Sequence, residues 1–240
     1  MSRKAVEPAE YPFFDYRRFT FSLGIEAADR VFMSGSTAVI HDKASNAMVV
    51  TGDLAAQARL IFDKMRYVLE ARSLGFKDIT RLGLYLTPAA KPQMAQLEAV
   101  LAELVPQKPQ INIIPVERLL RDAALIEIEG VANITATTAK LVSVFAEGDP
   151  AGHGIVEQCR LAYREIAEKL IAAGSSLDCV VKTTEFITPD ALAAYRDTAT
   201  VRRETFAAPY PAATGVIMSA LPRPGCKIQI EAIATLGSMP

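Results

Sequence analysis

The sequence predicts an α+β protein of two tandem domains, each ordered β-β-α-β-α-β-β, with a sheet that carries two helices on one face. Three observations predict this. Residues 57–88, QARLIFDKMRYVLEARSLGFKDITRLGLYLTP, align without a gap with residues 158–189, QCRLAYREIAEKLIAAGSSLDCVVKTTEFITP, at an offset of 101 residues. Gln57/Gln158, Arg59/Arg160, Thr87/Thr188 and Pro88/Pro189 are identical across the two copies. A second pair, LIEIEGVA at 125–132 and KIQIEAIA at 227–234, follows in the same order. Both halves also pass through the same succession of helical and strand-like hydrophobic spacings. The domains are set at 15–135 and 136–240.

Half one opens with strands near 19–27 and 30–37. Leu54, Ala58, Ile61, Phe62, Met65, Val68 and Leu69 then fall at helical spacing, and Asp53 stands where an N-cap would. The run ITRLGLYL at 79–86 reads as a strand. It leads into Thr-Pro, a suitable helix start because the first turn tolerates proline. Met94, Leu97, Leu101 and Leu104 mark a second helix, and strands near 111–118 and 124–132 close the half. Half two opens with a shortened hairpin, near 133–137 and 139–146. Its first helix carries Ile155, Cys159, Ala162, Ile166 and Leu170, and VVKTTEFI at 180–187 is the matching strand. A helix through Leu192, Tyr195, Ala199 and Phe206 precedes strands near 213–220 and 226–235. The helical stripes are core faces. The second face of each sheet also needs cover, which another domain would supply.

Composition narrows the function. Half the residues are apolar, 22% are charged and the net charge is −1, so a packed core is expected. No basic stripe of the kind that phosphate contacts demand is present, which argues against nucleic acid. No apolar run reaches membrane-spanning length, and the N-terminus lacks a secretory hydrophobic region. Cys159, Cys179 and Cys226 are odd in number and lack CxxC spacing, so reduced thiols and a cytoplasmic location are expected. His41 and His153 lack ligand spacing, so no metal and no cofactor is expected. His153, in GDPAGHGIV, sits in a glycine-rich turn ahead of a helix, where an ordinary turn is favoured over an anion site.

Several motifs resemble the RidA/YjgF family, also known as endoribonuclease L-PSP. In FSLGIEAADRVFMSGS at 21–36 an aromatic residue precedes a Ser-Gly pair by thirteen positions, as in that family's opening hairpin. VVKTTEFITPDALAAYRDT and PYPAATGV with LPRPGCKIQIEAIA resemble its central strand and closing hairpin. The resemblance implies a homo-oligomer, a trimer whose domains assemble into trimeric barrel-like rings, with small-molecule clefts between neighbouring domains. In such an assembly three domains form each ring. The resemblance also implies hydrolysis of enamines or imines. In that reaction an arginine grips a carboxylate through two parallel hydrogen bonds, and a carboxylate positions water.

The match at the site is partial. Ser34 and Gly35 keep the Ser-Gly pair, but Phe21 stands where the deaminase branch has tyrosine. The family arginine aligns with Ala213 in half two and with Asn112 or Ile111 in half one. The water-positioning glutamate aligns with Glu127 in half one and Gln229 in half two, while Glu129 and Glu231 follow in both. Glu185 stands inside a strand-like run where half one has Leu84, and an acid there must be solvated, paired or used. Glu127 and Glu185 are therefore the candidate catalytic residues. Phe21, Ser34, Gly35, Ala213, Thr214 and Gly215 are the candidate substrate contacts. Arg118 and Arg203, chosen from a set that includes Arg121 and Arg202, are candidates for a relocated carboxylate clamp. The expected function is a deaminase-like hydrolase acting at a domain interface. A non-catalytic binding or scaffolding protein is the alternative, and a ribonuclease is a distant third that the charge balance does not support.

Overall fold

The structure is a computed structural model, and it describes residues 3–136, 139–151 and 154–236. His153 lies outside the described residues. In half one β1 (Lys4–Ala5), β2 (Gly24–Ala27) and β3 (Arg30–Thr37) precede a small hairpin, β4 (Ile40–Asp42) and β5 (Ala47–Val49). Helix α1 (Leu54–Glu70), β6 (Ile79–Leu86), α2 (Met94–Leu104), β7 (Gln110–Pro115), β8 (Arg118–Leu119) and β9 (Ile126–Asn133) follow. Half two comprises β10 (Leu141–Glu147), α3 (Ile155–Ala172), β11 (Val180–Ile187), α4 (Leu192–Tyr195), α5 (Thr198–Thr205), β12 (Ala212–Ile217) and β13 (Ile228–Thr235). The first sheet has strand order β1-β2-β3-β9-β6-β7 and the second β10-β13-β11-β12-β8.

The expected helical stripes are buried. Leu54, Ile61, Phe62 and Leu69 pack on Val31, Leu82, Leu84 and Ile128 of the first sheet. Ile155, Cys159, Ile166 and Leu170 pack on Val180, Ile187 and Ile230 of the second. The Asp53 side chain accepts from Ala56 N, so the cap is real. Duplicated side chains make duplicated contacts. Gln57 Oε1 accepts from Leu125 N at 2.8 Å, and Gln158 Oε1 accepts from Lys227 N at 2.7 Å. Arg59 pairs with Glu103 and Arg160 with Glu204, each tying the first helix of its half to the last. Even the strand irregularities recur, between Ile79 and Arg81 and between Val180 and Lys182.

The second faces of the sheets cover each other within one chain. Ile25, Ala27 and Phe32 meet Val181 and Ala212, while Tyr85, Val116 and Leu119 meet Val216. Arg3 adds a strap from half one, donating to the carbonyls of Pro209 (2.7 Å), Leu177 (3.0 Å) and Ala207 (2.8 Å) in half two. Among the described residues no helix is long and apolar enough to cross a membrane.

Four expectations need correction. The strand expected at 133–137 does not form over 134–136; β9 runs to Asn133 and the chain then bends. The strand expected from 19 begins only at Gly24, because Ser22 leaves to bridge Ala212 of half two. The strand expected over 111–118 breaks after Pro115: Val116 N donates to Leu86 O, but Glu117 N donates to Ile217 O, so the chain crosses to the second sheet. The helix expected through Leu192 and Phe206 is two short helices joined near Arg196.

Candidate active site

A cavity of about 700 Å³ opens on the seam between the halves. Its size suits a small organic molecule. Its floor is made by β3, β9 and β12, and α1, the Tyr11–Phe21 segment and the α4–α5 region wall it. Of the residues singled out in the sequence, Phe21, Ser34, Gly35, Glu127, Glu185, Ala213, Thr214, Gly215 and Arg203 all line this one space.

The floor begins with a bulge. Met33 pairs with Gly130 and Ser36 with Ile128, so Ser34 and Gly35 together face the single residue Glu129. A bulge re-aims side chains and backbone. Here it turns Ser34 Oγ to donate to Ser22 O (2.6 Å) and to accept from Ala213 N (2.8 Å), stitching the two halves. Ser34 N donates to Leu23 O and Gly35 N to Thr214 Oγ1 (3.1 Å). Both N–H groups are therefore engaged, and the pair builds the seam rather than an open anion cradle. Thr214 Oγ1 also donates to Glu129 Oε2 (2.6 Å) and accepts from Lys182 Nζ (2.7 Å), while Lys182 pairs with Glu129 at 2.8 Å. Thr214 hydrogen-bonds both members of this buried charge pair, which makes its burial more tolerable.

Glu127 differs from its neighbour. It is 5% exposed, and no hydrogen bond reaches its carboxyl among the described residues. Burial, and after it the neighbouring Glu129, push its pKa up to about 8, with Lys182 partly offsetting them. The group is therefore a neutral acid near pH 7, poised over the cavity floor.

Glu185 has the opposite character. Oε1 accepts from Tyr163 Oη (2.7 Å), and Oε2 accepts from Tyr195 Oη (2.7 Å) and Arg202 (2.6 Å). With both oxygens engaged it anchors Tyr163, Tyr195 and Arg202 around itself. Arg202 Nε also donates to Thr20 Oγ1 at 3.1 Å, joining α5 to the segment that walls the cavity in half one.

Arg118 is the residue that the structure does not bring to the site. It lies on β8, opposite Ile217 at the edge of the second sheet, and its exposed guanidinium pairs with Asp122. The crossover after Pro115 carries it away from the cavity, where Arg121 and Arg203 remain. The pairing register shows which residue of half one corresponds to Ala213. Leu82 pairs with Ile111 as Thr183 pairs with Ala213, so Ile111 and Ala213 are the equivalent residues. Neither half has an arginine there.

Lys64 was not anticipated. It is 1% exposed on α1, lines the cavity, and donates to Thr37 O at 2.8 Å and to Val39 O. Burial lowers its pKa to about 7. Its place on the apolar stripe, three residues after Ile61 and four before Val68, was the available signal. Among the described residues, no cluster of three or more His, Cys, Asp or Glu side chains could hold a metal ion. Cys159, Cys179 and Cys226 are buried free thiols.

The family model described as Endoribonuclease L-PSP matches residues 17–134 and again residues 142–236. A RutC family protein of Pyrococcus horikoshii is 28% identical over 113 residues, 47% of this chain and 85% of that protein. Among solved structures, yeast Mmf1 is similar at 19% identity and TM-score 0.47, over 56% of this chain and all of the other. A probable translation initiation inhibitor from Rhodopseudomonas palustris is similar at 27% identity and TM-score 0.47, over 56% of this chain and all of the other. TdcF of E. coli, solved with bound serine, is similar at 22% identity and TM-score 0.46, over 55% of this chain and 99% of the other. The family model covers both halves, and the contacts of Gln57, Gln158, Arg59 and Arg160 repeat between them: the chain belongs to the Endoribonuclease L-PSP (RidA/YjgF) family and carries its domain twice.

Proposed function

We propose that this chain is a small-molecule hydrolase that cleaves a C=N bond at the seam between its halves, with Glu127 as the catalytic acid and base. The observation that carries this reading is the Glu127 carboxyl: buried, without a hydrogen-bond partner among the described residues, and lining the cavity. A carboxyl whose pKa lies near the working pH both gives and takes a proton readily.

In the proposed reaction Glu127 donates its proton to the imine nitrogen, and water adds to the carbon. The carboxylate takes a proton from the added water and returns it to nitrogen. As the carbinolamine collapses its C–N bond breaks, its hydroxyl proton passes to the Glu127 carboxylate, and a carbonyl compound and an amine leave with the acid restored. An enamine enters the same route after tautomerising to the imine. Ser34, Gly35 and Ala213–Gly215 hold the floor rigid for this step, and Phe21 forms part of the wall. A trimer of chains, as the resemblance implies, would leave this site intact, since one chain supplies both sides of the seam.

The test uses imines made in situ from a panel of amino acids by an amino-acid oxidase. Their decay should quicken with the protein and return to the uncatalysed rate with Glu127→Gln. Unaltered decay across the panel, or full activity in Glu127→Gln, would overturn the reading.

A further inference from the structure

At the mouth of the cavity stand Arg18, Arg121, Arg196 and Arg203, drawn from both halves. Arg18, Arg196 and Arg203 are exposed and Arg121 is half-buried. Arg18, Arg121 and Arg196 have no acidic partner among the described residues, and Arg203 reaches only Thr200 Oγ1, at 3.3 Å. Arg202, by contrast, is occupied by Glu185. Asp197 is the one carboxylate beside them at the rim; the other two in the cavity, Glu127 and Glu185, are buried below. Four like charges converging on one opening repel each other, and an anion drawn between them relieves that repulsion.

Other residues that line the cavity are apolar. Phe19 stacks on Phe21 with ring centroids 5.6 Å apart, and Phe19 is 43% exposed. Met33, Met48 and Met65 line the same space. Thioethers and aromatic faces adapt to bulky apolar groups. Among the described residues no arginine of β3, β9 or β12 lines the floor, and Ala213 stands where the family resemblance would place one.

We infer that the ligand is a bulky anion with its charge at one end: the arginines at the mouth hold a carboxylate or similar anionic group, and an aromatic or extended apolar body reaches down the phenylalanine and methionine walls. This deepens the reading above and rests on it in one respect: the reacting C=N then lies near Glu127, at the end of the molecule remote from the charge. A ligand whose carboxylate adjoins the reacting carbon fits this arrangement less well, since Glu127 is buried while Arg18, Arg196 and Arg203 are exposed.

Binding tests this apart from turnover. Isothermal titration would compare 4-phenylbutyrate, its neutral counterpart 4-phenyl-1-butanol, and butyrate, at low and high salt. The expected order is 4-phenylbutyrate tightest, with each of the others at least about tenfold weaker. The double variant Arg196→Ala/Arg203→Ala, at two exposed positions, should weaken 4-phenylbutyrate at least about tenfold and leave 4-phenyl-1-butanol unchanged. Phe21→Ala should weaken both. Equal binding of butyrate and 4-phenylbutyrate, or an unchanged Kd in the arginine variant, would overturn the inference. Imine hydrolysis without this binding preference would leave the proposed reaction standing and remove the ligand class; the preference without hydrolysis would do the reverse.

Discussion

Gly35 and Glu127 compete for one volume. A Cβ on Gly35 would overlap Glu127 Oε1 and lie 2.7 Å from Thr214 Oγ1. Gly35 does not have a positive φ, so its absence of a side chain, and not its backbone freedom, is what the site uses. Gly35→Ala should therefore push the Glu127 carboxyl off the floor or flatten the bulge. The expected cost is about 1–3 kcal/mol of stability with most imine hydrolysis lost. Urea unfolding beside the activity assay checks it. A variant with unchanged midpoint and rate would show that the carboxyl swings freely and that the floor is not rigid.

Glu127 should leave a mark on stability as a function of pH. Its pKa rises from 4.5 in the unfolded chain to about 8 in the fold. Between those values the folded protein keeps a proton that the unfolded chain has lost. The contribution is full below about pH 4.5 and is lost as pH rises through about 8. Glu127→Gln removes the titration, so its stability relative to the wild type should grow across that window. Melting temperatures from pH 5 to 9 would show this, and parallel curves for the two proteins would refute it.

Arg202 neutralises a carboxylate that is 2% exposed. Arg202→Met leaves Glu185 buried with only its two tyrosine donors, and breaking such a pair costs about 3–5 kcal/mol. The double change Glu185→Leu/Arg202→Met should recover part of that loss, since half one has Leu84 at the position equivalent to Glu185. Urea midpoints for the single and double variants decide the point. A single variant within about 1 kcal/mol of the wild type would mean the pair is solvated.

What could be read beforehand follows the physics of each residue. Gln57 and Gln158 announced the duplication because they satisfy backbone groups of the strand-entry loop in both halves, a need that local geometry repeats. Glu185 declared itself as an acid that needed a partner, but its partners are Tyr163, Tyr195 and Arg202, 22, 10 and 17 residues away. No periodicity encodes such distances. Arg118 misled because the apolar run from Ile111 continues past Pro115, while the backbone after it pairs with β12 of the other half. Lys64 stayed hidden for a similar reason. Its partners are backbone carbonyls of Thr37 and Val39, which carry no side-chain signature.

Lys64 supplies the last prediction, and its sign opposes that of Glu127. Its pKa falls from 10.5 to about 7 on folding, through burial. Between those values the unfolded chain holds the extra proton, so this contribution rises with pH through that window and is lost as pH falls through about 7. Lys64→Met strips two carbonyls of their donor and should cost about 1–3 kcal/mol. It should also abolish the rise. Taken together, the two groups depress stability near pH 7 to 8, where Glu127 has lost most of its contribution and Lys64 has gained little. The double variant Glu127→Gln/Lys64→Met should therefore show a flatter profile from pH 5 to 10 than the wild type, whatever its absolute stability. A trough of the same depth in both proteins would assign it to other groups and leave Lys64 charged throughout, held by its two carbonyls and by the rings of Phe13 and Phe14 at 5.4 and 5.3 Å.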